Sequence, residues 1–525
     1  MMLNKFNNSF NINSLFVIIL FIFAFSFNIY YANLGVFPID TFLHFESGYR
    51  ILNNQYPVKD FWVVSGIFVD FLEALFFNIL GVSWKTHVIH SSVFNGVIAS
   101  LTYLIFLKLG LNKLYCFFYS LLVSILAYTP SGTPFVDHHA TFLSLFAIYF
   151  FIIAVKFNQN FSWIIFPWFL GFSLLSKQVP AAYFLILITI LLITYCFVKK
   201  TVRPIYISFF SSVVFLLSFV LFSSIIELDL YLFIKQYFLY PLSIGTERAK
   251  GLSLITLESF INKFKYILIP SIGIIFLNYK IFIQNYKNQK IDNAFFFLAV
   301  LTIPVCLILH QILTKNQIFI YFLVPLLFSF FHIFLTYCNY KVSKVFFLTL
   351  LILSTLSTFK YHLRFNETRK FHDLQNINLN KSIEAYYLSN KLKGLNWISQ
   401  KYSNDPKQEI DKLKKIIKLL KEDKQKKILI TNYLFFSTLL EENLYSPSKT
   451  YTLDQASFPI LGNKYHKDYK KYFETNIKKS NARNIYLIRD EGLDPKMITD
   501  YLNNECYELF EEEEFKRFKI KFNCF

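Results

Sequence analysis

Charged residues are scarce in this chain of 525 residues: they make up 17% of it, against about 25% in an average soluble domain. Hydrophobic residues make up 54% and Phe alone occurs 65 times, and the mean hydropathy is +0.41. A soluble protein of this size could not bury so much apolar surface in ordinary cores. The composition therefore excludes a soluble cytosolic enzyme, a disordered chain, a collagen-like repeat and a small disulfide scaffold. It leaves a polytopic membrane protein with a soluble part.

Motifs of soluble nucleotide-using enzymes and of metalloproteases are absent from the sequence as well. There is no phosphate-binding G-x-x-x-x-G-K-S/T loop, no dinucleotide glycine fingerprint, no H-E-x-x-H and no G-x-S-x-G. The net charge of +19 could suggest nucleic acid as a partner. However, membrane proteins accumulate Lys and Arg in their cytoplasmic loops, and the chain has no helix-turn-helix, zinc or RNA-binding signature. We expect no nucleic-acid partner.

Cysteine is rare, with six residues and no C-x-x-C pair. Four lie in apolar runs and are predicted to pack as small hydrophobic residues. Cys506 and Cys524 lie in the polar tail. If the tail faces an oxidising compartment, these two can pair.

Long apolar runs dominate the first 360 residues. A spanning helix needs about 20 apolar residues, and eleven runs meet or approach that length: 14–34, 86–107, 113–129, 139–156, 161–176, 178–198, 204–226, 263–282, 293–312, 318–338 and 344–359. With the N-terminus inside, every short cytoplasmic connection carries Lys or Arg, as the positive-inside rule requires. The sequence predicts a polytopic α-helical membrane protein with about 11 transmembrane helices, N-terminus in and C-terminus out. Its Lys, Asn, Ile and Phe bias indicates an AT-rich bacterial genome, so we expect a multi-pass protein of the bacterial inner (plasma) membrane.

The first outer loop, residues 35–85, is much longer than the other loops. It contains an apolar stretch at 66–80 that is too short to span the bilayer, which favours a helix along the membrane interface with Asp70 and Glu73 on its wet face. Residues 41–54 are predicted to form a second interfacial helix.

The tail changes character near Lys360. Apolar residues at helical spacing around 410–420 and strand-like runs at 427–436, 484–489 and 515–522 alternate along it. This alternation predicts a small C-terminal α/β domain. We therefore expect a transmembrane catalytic domain at 1–359 and a soluble extracytoplasmic α/β domain at 360–525.

Ionisable residues are informative in a membrane protein because placing them at membrane depth is costly. The strongest candidates share one feature, a position at the predicted outer ends of the helices or in the outer loops: Asp40, His44, Asp60, Asp137, His138, Lys177 and Arg248. Acidic and basic groups on the same side could build a polar pocket at the membrane surface. Each also has a simpler interpretation: helix caps for the two Asp that start helices, a turn residue at 60, a structural histidine, a snorkelling lysine and a surface arginine.

The segment FPIDTFLHFESGYRILNNQYPVKDFWVVSGIFVDFLEALFFNILGVS resembles the GT-C superfamily of integral-membrane glycosyltransferases. The closest likeness is to protein O-mannosyltransferases and the aminoarabinose transferases of lipid A. In that family an Asp follows the first helix, then an "ll-G-x-x-P-Y-x-D-F" stretch, then a short apolar helix ending in "f-x-l-f-G-x-S"; the counterparts here are Asp40, ILNNQYPVKDF with Asp60, and FFNILGVS. TPSGTPFVDHHATF and GFSLLSKQVPAAY are similar to its second outer loop and to the end of a later helix. Val64-Ser65-Gly66 replaces the family's acidic or K-P-P residues.

The resemblance implies an enzyme that transfers a sugar from a polyprenyl-phosphate donor to a lipid, glycan or protein acceptor at the outer face, with inversion of the anomeric carbon. It implies Asp40 as general base, helped or replaced by Asp137. Lys177 and Arg248 are expected to bind the donor phosphate, and His44 and Asp60 to contact substrate. A divalent metal held by Asp60 or His138 is compatible with this scheme but not required by it. The alternatives left open are a transporter or flippase, or a polymerase or ligase, of lipid-linked glycans.

Overall fold

The computed structural model of the protein describes residues 2–249, 256–284, 289–314, 319–337, 343–452, 456–490 and 492–521. The chain is 69% helical. In the described part, eight helices are long and apolar enough to cross a membrane. The structure is therefore compatible with a helical membrane protein.

The helices up to residue 225 are α1 Met2–Ala32, α2 Pro38–Leu52, α3 Ile67–Leu80, α4 Trp84–Lys108, α5 Lys113–Leu126, α6 Val136–Phe157, α7 Asn160–Ser176, α8 Gln178–Lys199 and α9 Arg203–Ile225. The helices up to residue 362 are α10 Leu230–Ile234, α11 Tyr240–Ala249, α12 Leu257–Gln284, α13 Gln289–Leu313, α14 Leu323–Tyr337 and α15 Lys344–His362, with a π-helical turn at Lys235–Leu239 between α10 and α11. A helix lies at each of the eleven predicted apolar runs. Three of these, α5, α7 and α14, are shorter than the other eight.

The chain forms two compact units. Unit 1 comprises Met1–Asn33, Val88–Ser218 and Lys250–Asn376, and unit 2 comprises Leu34–His87, Phe219–Ala249 and Ile377–Phe525. This division differs from the predicted boundary after residue 359, which followed composition alone.

Unit 1 extends beyond the predicted boundary at residue 359 because the residues that follow α15 still pack against it. The polar residues that follow this helix are still fastened to unit 1: the Asn366 amide donates to the Ile125 carbonyl at 2.8 Å, and the Arg369 guanidinium donates to the carbonyls of Thr129 and Ser131 at 3.1 and 3.2 Å. Composition changes near Lys360, but packing changes only near residue 376.

Unit 1 is built around α6, which is buried along nearly its whole length and packs against α7, α8 and α13. The turn before α6 is packed tightly as well. Gly132 has a φ of +76° in that turn, and a Cβ there would lie 2.6 Å from the Ala32 Cα. Only glycine meets both conditions without strain.

Unit 2 contains a four-stranded sheet in the order β3-β4-β6-β5. Its elements are β1 Ile383–Glu384, β2 Asn396–Trp397, α16 Pro406–Glu422, β3 Lys427–Ile430, α17 Phe436–Leu440, α18 His466–Ser480, β4 Asn484–Ile488, α19 Lys496–Thr499, β5 Tyr507–Glu511 and β6 Phe515–Ile520. β3 and β4 are parallel, whereas β4–β6 and β5–β6 are antiparallel. The predicted strands at 484–489 and 515–522 are present, and the predicted apolar stripe of α16 is buried. The strand predicted at 427–436 ends at Ile430, and the short helix α17 follows it.

Three segments far apart in the sequence share the core of unit 2. The Trp62 ring, from the first long loop, packs edge-on against Tyr240 at 5.9 Å and against Tyr469 of α18 at 5.3 Å. The Gln236 side chain accepts from the Val63 amide at 3.0 Å. The long loop predicted at 35–85 is thus an integral part of this core.

Cys506 is disulfide-bonded, and Cys524, its predicted partner, lies outside the described residues.

Candidate functional site

A buried charged cluster lies within unit 1 around Asp137. The Lys177 ammonium donates to both carboxylate oxygens of Asp137, at 2.6 and 2.7 Å. The His310 Nε2 lies 2.9 Å from one of the same oxygens. Asp137 and His310 are fully enclosed, whereas the Lys177 side chain retains 19% of its exposure. The lysine is therefore the member of the cluster that a ligand can reach.

Local sequence explains how two helices and the junction between α7 and α8 supply this cluster. Asp137 lies in the first turn of α6, where the partial positive charge of the helix N-terminus favours a carboxylate. Lys177 is the single residue between the end of α7 and the start of α8, so its side chain leaves the chain at a bend. His310 lies in the last turn of α13. The structure thus brings the predicted pair Asp137 and Lys177 together, and His310 joins them.

His138, the next residue on α6, has a different environment. Its ring lies 4.8 Å from Tyr128, 5.8 Å from Phe135 and 4.9 Å from Phe319 between ring centroids. Neither ring nitrogen has a hydrogen-bond partner in the described part of the chain. His138 is therefore a buried histidine among aromatic rings.

A second buried cluster lies within unit 2 around Asp70. The Lys449 ammonium donates to both Asp70 oxygens, at 2.8 and 2.7 Å. His44 Nδ1 lies 2.7 Å from one of them, and the Ser47 hydroxyl donates to the same oxygen. On the same helix, Glu73 pairs with His87 Nδ1 at 2.7 Å.

This second cluster corrects the expectation for α3. Asp70 and Glu73 were predicted to form a wet face, but both have 0% exposure. That prediction was wrong because their partners come from α2, α4 and the segment near residue 449, none of which is visible in the local pattern. His44 was expected to contact substrate, and the structure places it against Asp70.

Electrostatics favour the charged form of Asp70. Burial alone raises the pKa of a carboxyl group, but the charges of Lys449 and His44 and their hydrogen bonds outweigh it, so the pKa of Asp70 lies below its usual range. Burial, with Lys449 beside it, lowers the pKa of His44 to about 4. Burial also lowers the pKa of Lys449. We therefore treat the cluster as an Asp70–Lys449 ion pair with a neutral His44.

Glu46, one helical turn from Arg50 on α2, lies at a small polar cavity of unit 2. The cavity is about 20 Å³, enough for about one water molecule. The Ser437 hydroxyl donates to one carboxylate oxygen of Glu46, and the other oxygen is buried with no partner in the described part of the structure. Burial raises the pKa of Glu46.

The remaining predicted residues lie in unit 2. Asp40 is half-buried in the first turn of α2. Asp60 closes a turn by accepting from the Tyr56 amide at 2.8 Å, and it pairs with Lys479 at 2.6 Å. This matches the simpler interpretation of Asp60 as a turn residue. Arg248 lies on α11, and its side chain is outside the described part of the structure.

A metal site receives no support from these positions. The described residues contain no group of three or more His, Cys, Asp or Glu side chains placed to hold a metal ion. Asp60 is already held by Lys479, and His138 is surrounded by aromatic rings. A divalent cation needs several oxygen or nitrogen ligands in one place. These residues do not fit a metal, and we derive no step through one.

Sequence reasoning missed the partners rather than the acids. Lys449 lies in a loop with no distinguishing pattern, and His310 is one of several ionisable residues near the ends of the apolar helices. The available signal for the unit 2 cluster was two carboxylates, three residues apart, in an otherwise apolar helix. Buried acids of that kind need counter-charges.

Comparison with family models and with curated proteins found no match to this chain.

Proposed function

We propose that the protein is a membrane glycosyltransferase that transfers a sugar from a polyprenyl-phosphate-linked donor to a lipid, glycan or protein acceptor at the outer face of the bacterial inner membrane. The observation that carries the proposal is the Asp137–Lys177–His310 cluster, at the ends of apolar helices in unit 1. Charged groups are rare in such helices and mark functional sites. A donor held in the bilayer by its lipid needs a cation at that place.

The chemistry assigned to the cluster is stabilisation of the leaving phosphate. The acceptor oxygen forms a bond to the anomeric carbon, the bond from that carbon to the phosphate oxygen breaks, and the electron pair leaves with the lipid phosphate. The ammonium of the partly exposed Lys177 side chain offsets this negative charge. Asp137 holds that ammonium, and His310 in turn holds Asp137. The acceptor proton passes to a carboxylate, for which Asp40 stays the prediction, and displacement from the opposite side inverts the carbon.

The contacts between the three chain segments of unit 2 support the proposed topology. Lys59 pairs with Glu227 at 2.6 Å, Tyr472 donates to the Val58 carbonyl at 3.0 Å, and Asp70 pairs with Lys449. In the proposed topology, segments 34–87, 219–249 and 377–525 therefore lie on one side of the membrane. A chain that leaves that side and returns to it crosses an even number of times.

This parity bears on the three short apolar helices. Between residues 249 and 377 lie three long apolar helices, α12, α13 and α15, so the proposed topology takes α14 as a fourth crossing. Its 15 residues span only about 22 Å, but α14 is largely buried inside unit 1 and needs little apolar length against lipid. Between residues 87 and 219 the four long helices already give an even number, so the proposed topology has α5 and α7 either both crossing or both not crossing.

With both crossing, the count is eleven. One span, α1, separates the N-terminus from unit 2, and the basic short loops favour an inside N-terminus. The disulfide at Cys506 also favours an outer position for unit 2, because disulfides persist in oxidising compartments. Cysteines introduced at the exposed positions Lys200 and Lys464 test this topology: in intact cells a membrane-impermeant maleimide should label K464C and spare K200C. The reverse result, or equal labelling, contradicts it.

A transfer assay tests the function. The purified protein in nanodiscs is given a panel of radiolabelled polyprenyl-phosphate sugars with membrane-extract acceptors. We expect K177M to lose about 10²-fold or more of turnover, as for removal of one group that stabilises developing charge, and D40N to lose a similar factor as for loss of a general base. The control is S144A, on the same helix α6 as Asp137, which removes a buried hydrogen bond to Ser173 of α7 and should retain activity. Full transfer by K177M, or movement of lipid-linked glycan across the bilayer without transfer, contradicts the proposal.

A further inference from the structure

Helix α16 borders an open groove of about 570 Å³ on unit 2. The apolar side chains of α16 at Ile410, Leu413, Ile416 and Leu420 are buried in the core, so the groove uses the opposite edge of the helix. Its floor is apolar, formed by Leu388 and Ile417. Four lysines and one acid complete its lining: Lys414, Lys418, Lys421, Lys424 and Glu422. We call this feature the lysine groove.

The lysines of the groove are poorly neutralised. Lys414 has one distant carboxylate, Asp411 at 3.9 Å. Lys418, Lys421 and Lys424 form no ion pair with any residue in the described part of the chain. Four lysines line the groove together with Glu422, and Asp411 and Glu441 lie near Lys414 and Lys421, so an excess of positive charge is left along one edge. Charges this close repel each other, and an anionic ligand relieves the repulsion.

The spacing of the charges indicates an extended ligand. Lys414, Lys418 and Lys421 stand at intervals of four and three residues, so they lie on one side of the helix. They span roughly 10 Å along the axis. A single small anion cannot reach all of them, whereas a chain with repeated negative charges can.

Two exposed aromatic residues precede a lining residue of the groove in the sequence. Tyr386 and Tyr387, which come directly before Leu388, are 50% and 61% exposed. Exposed aromatic rings combine an apolar face with a hydroxyl that can hydrogen-bond, and the volume lies in the range of ligand sites. A bilayer surface is broad and flat and fits a concave groove poorly. We propose that the lysine groove binds an acidic polysaccharide, a chain of sugars that carry carboxylate or phosphate groups.

This inference rests on the proposed function only in one respect, that the bound polysaccharide is the acceptor or the product of the transferase. Binding itself needs no catalysis. The two proposals can therefore fail separately. An inactive protein that still binds the acidic polysaccharide contradicts only the proposed function. An active protein that does not bind the polysaccharide contradicts only the proposal for the lysine groove.

The test uses the full chain in detergent and polygalacturonate as the acidic probe, with binding measured by microscale thermophoresis. Neutral dextran of similar length is the uncharged comparison. The variant K414Q/K418Q/K421Q/K424Q removes the groove charges. A matched control removes four exposed lysines on and beside α18, at positions 464, 467, 471 and 478. Both quadruple variants have the same net charge.

We expect the groove variant to bind polygalacturonate about tenfold more weakly or worse, because each exposed ion pair contributes modestly and four are lost. The α18 control should stay within about twofold of wild type, dextran should not bind, and added salt should weaken binding. Equal loss in both variants shows binding by net charge alone and overturns the proposal. Wild-type binding by the groove variant does the same. Preference for phosphatidylglycerol vesicles over polygalacturonate, lost in the groove variant, would instead make the groove a membrane-docking surface and also overturns it.

Discussion

Replacing Lys449 by Met removes the main counter-charge of a carboxylate that has no contact with solvent. Asp70 has 0% exposure and both its oxygens lie within 2.8 Å of the Lys449 ammonium. Removing one partner of a buried pair costs about 3–5 kcal/mol, because the other charge is left uncompensated. The bonds from Ser47 and His44 remain, and without Lys449 burial raises the pKa of Asp70 so that it takes up a proton. Both effects favour the lower end of that range.

The assay is thermal unfolding in detergent, followed by tryptophan fluorescence. For domains of this size each kcal/mol shifts the midpoint by roughly 2–4 °C, so K449M should unfold about 6–20 °C below wild type. D70N/K449M should recover most of the loss, since no charge is then buried. K479M, which breaks the more exposed pair with Asp60, is the control and should cost less than about 1 kcal/mol. Equal shifts for K449M and K479M, or no recovery in the double variant, would refute the reasoning.

Two further predictions concern one buried acid and one tight turn. Burial holds the pKa of Glu46 above its unfolded value, so the contribution of Glu46 to stability is full below about pH 4 and is lost as pH rises through the folded pKa. E46Q lacks that loss, and its advantage in unfolding temperature should grow as pH rises above about 4; a constant difference contradicts this. G132A combines a φ of +76° with a Cβ 2.6 Å from Ala32 and should destabilise the protein more than G110A, which has a φ of +86° but open space around it. Equal unfolding temperatures of the two variants would show that the close approach is unimportant.

Helix positions were predictable because apolar runs of bilayer length leave one structural solution. In a lipid environment a segment must satisfy its own backbone hydrogen bonds, and a helix does this locally. The same locality made α16 predictable: Ile410, Leu413 and Leu420 recur at helical spacing and are buried. Around Asp137 less of the structure was predictable. The sequence indicated which end of the helix carried charge, but not that Lys177 holds both oxygens.

Partners far apart in sequence were not predictable, because pairing depends on the tertiary fold. Lys449 is separated from Asp70 by 379 positions. A carboxylate in an apolar helix has the same local pattern whether water or a distant lysine neutralises it. The two compact units differ from the predicted domains for the same reason: composition marks where apolar helices stop, but Trp62 and Tyr240 contribute to the core that the tail helix α18 completes.

The order of synthesis gives this arrangement a consequence for folding. Segment 34–87 is the first of the three segments of unit 2 to be synthesised. It carries Asp70, Glu73 and Trp62, which are all buried in the folded protein. Glu73 finds His87 within the same segment, but Asp70 has only His44 and Ser47 until residue 449 is made. Contacts of such long sequence separation form late and slowly. Unit 2 therefore cannot complete its core before every helix of unit 1 has been synthesised, and the Asp70–Lys449 pair is one of the contacts that close it.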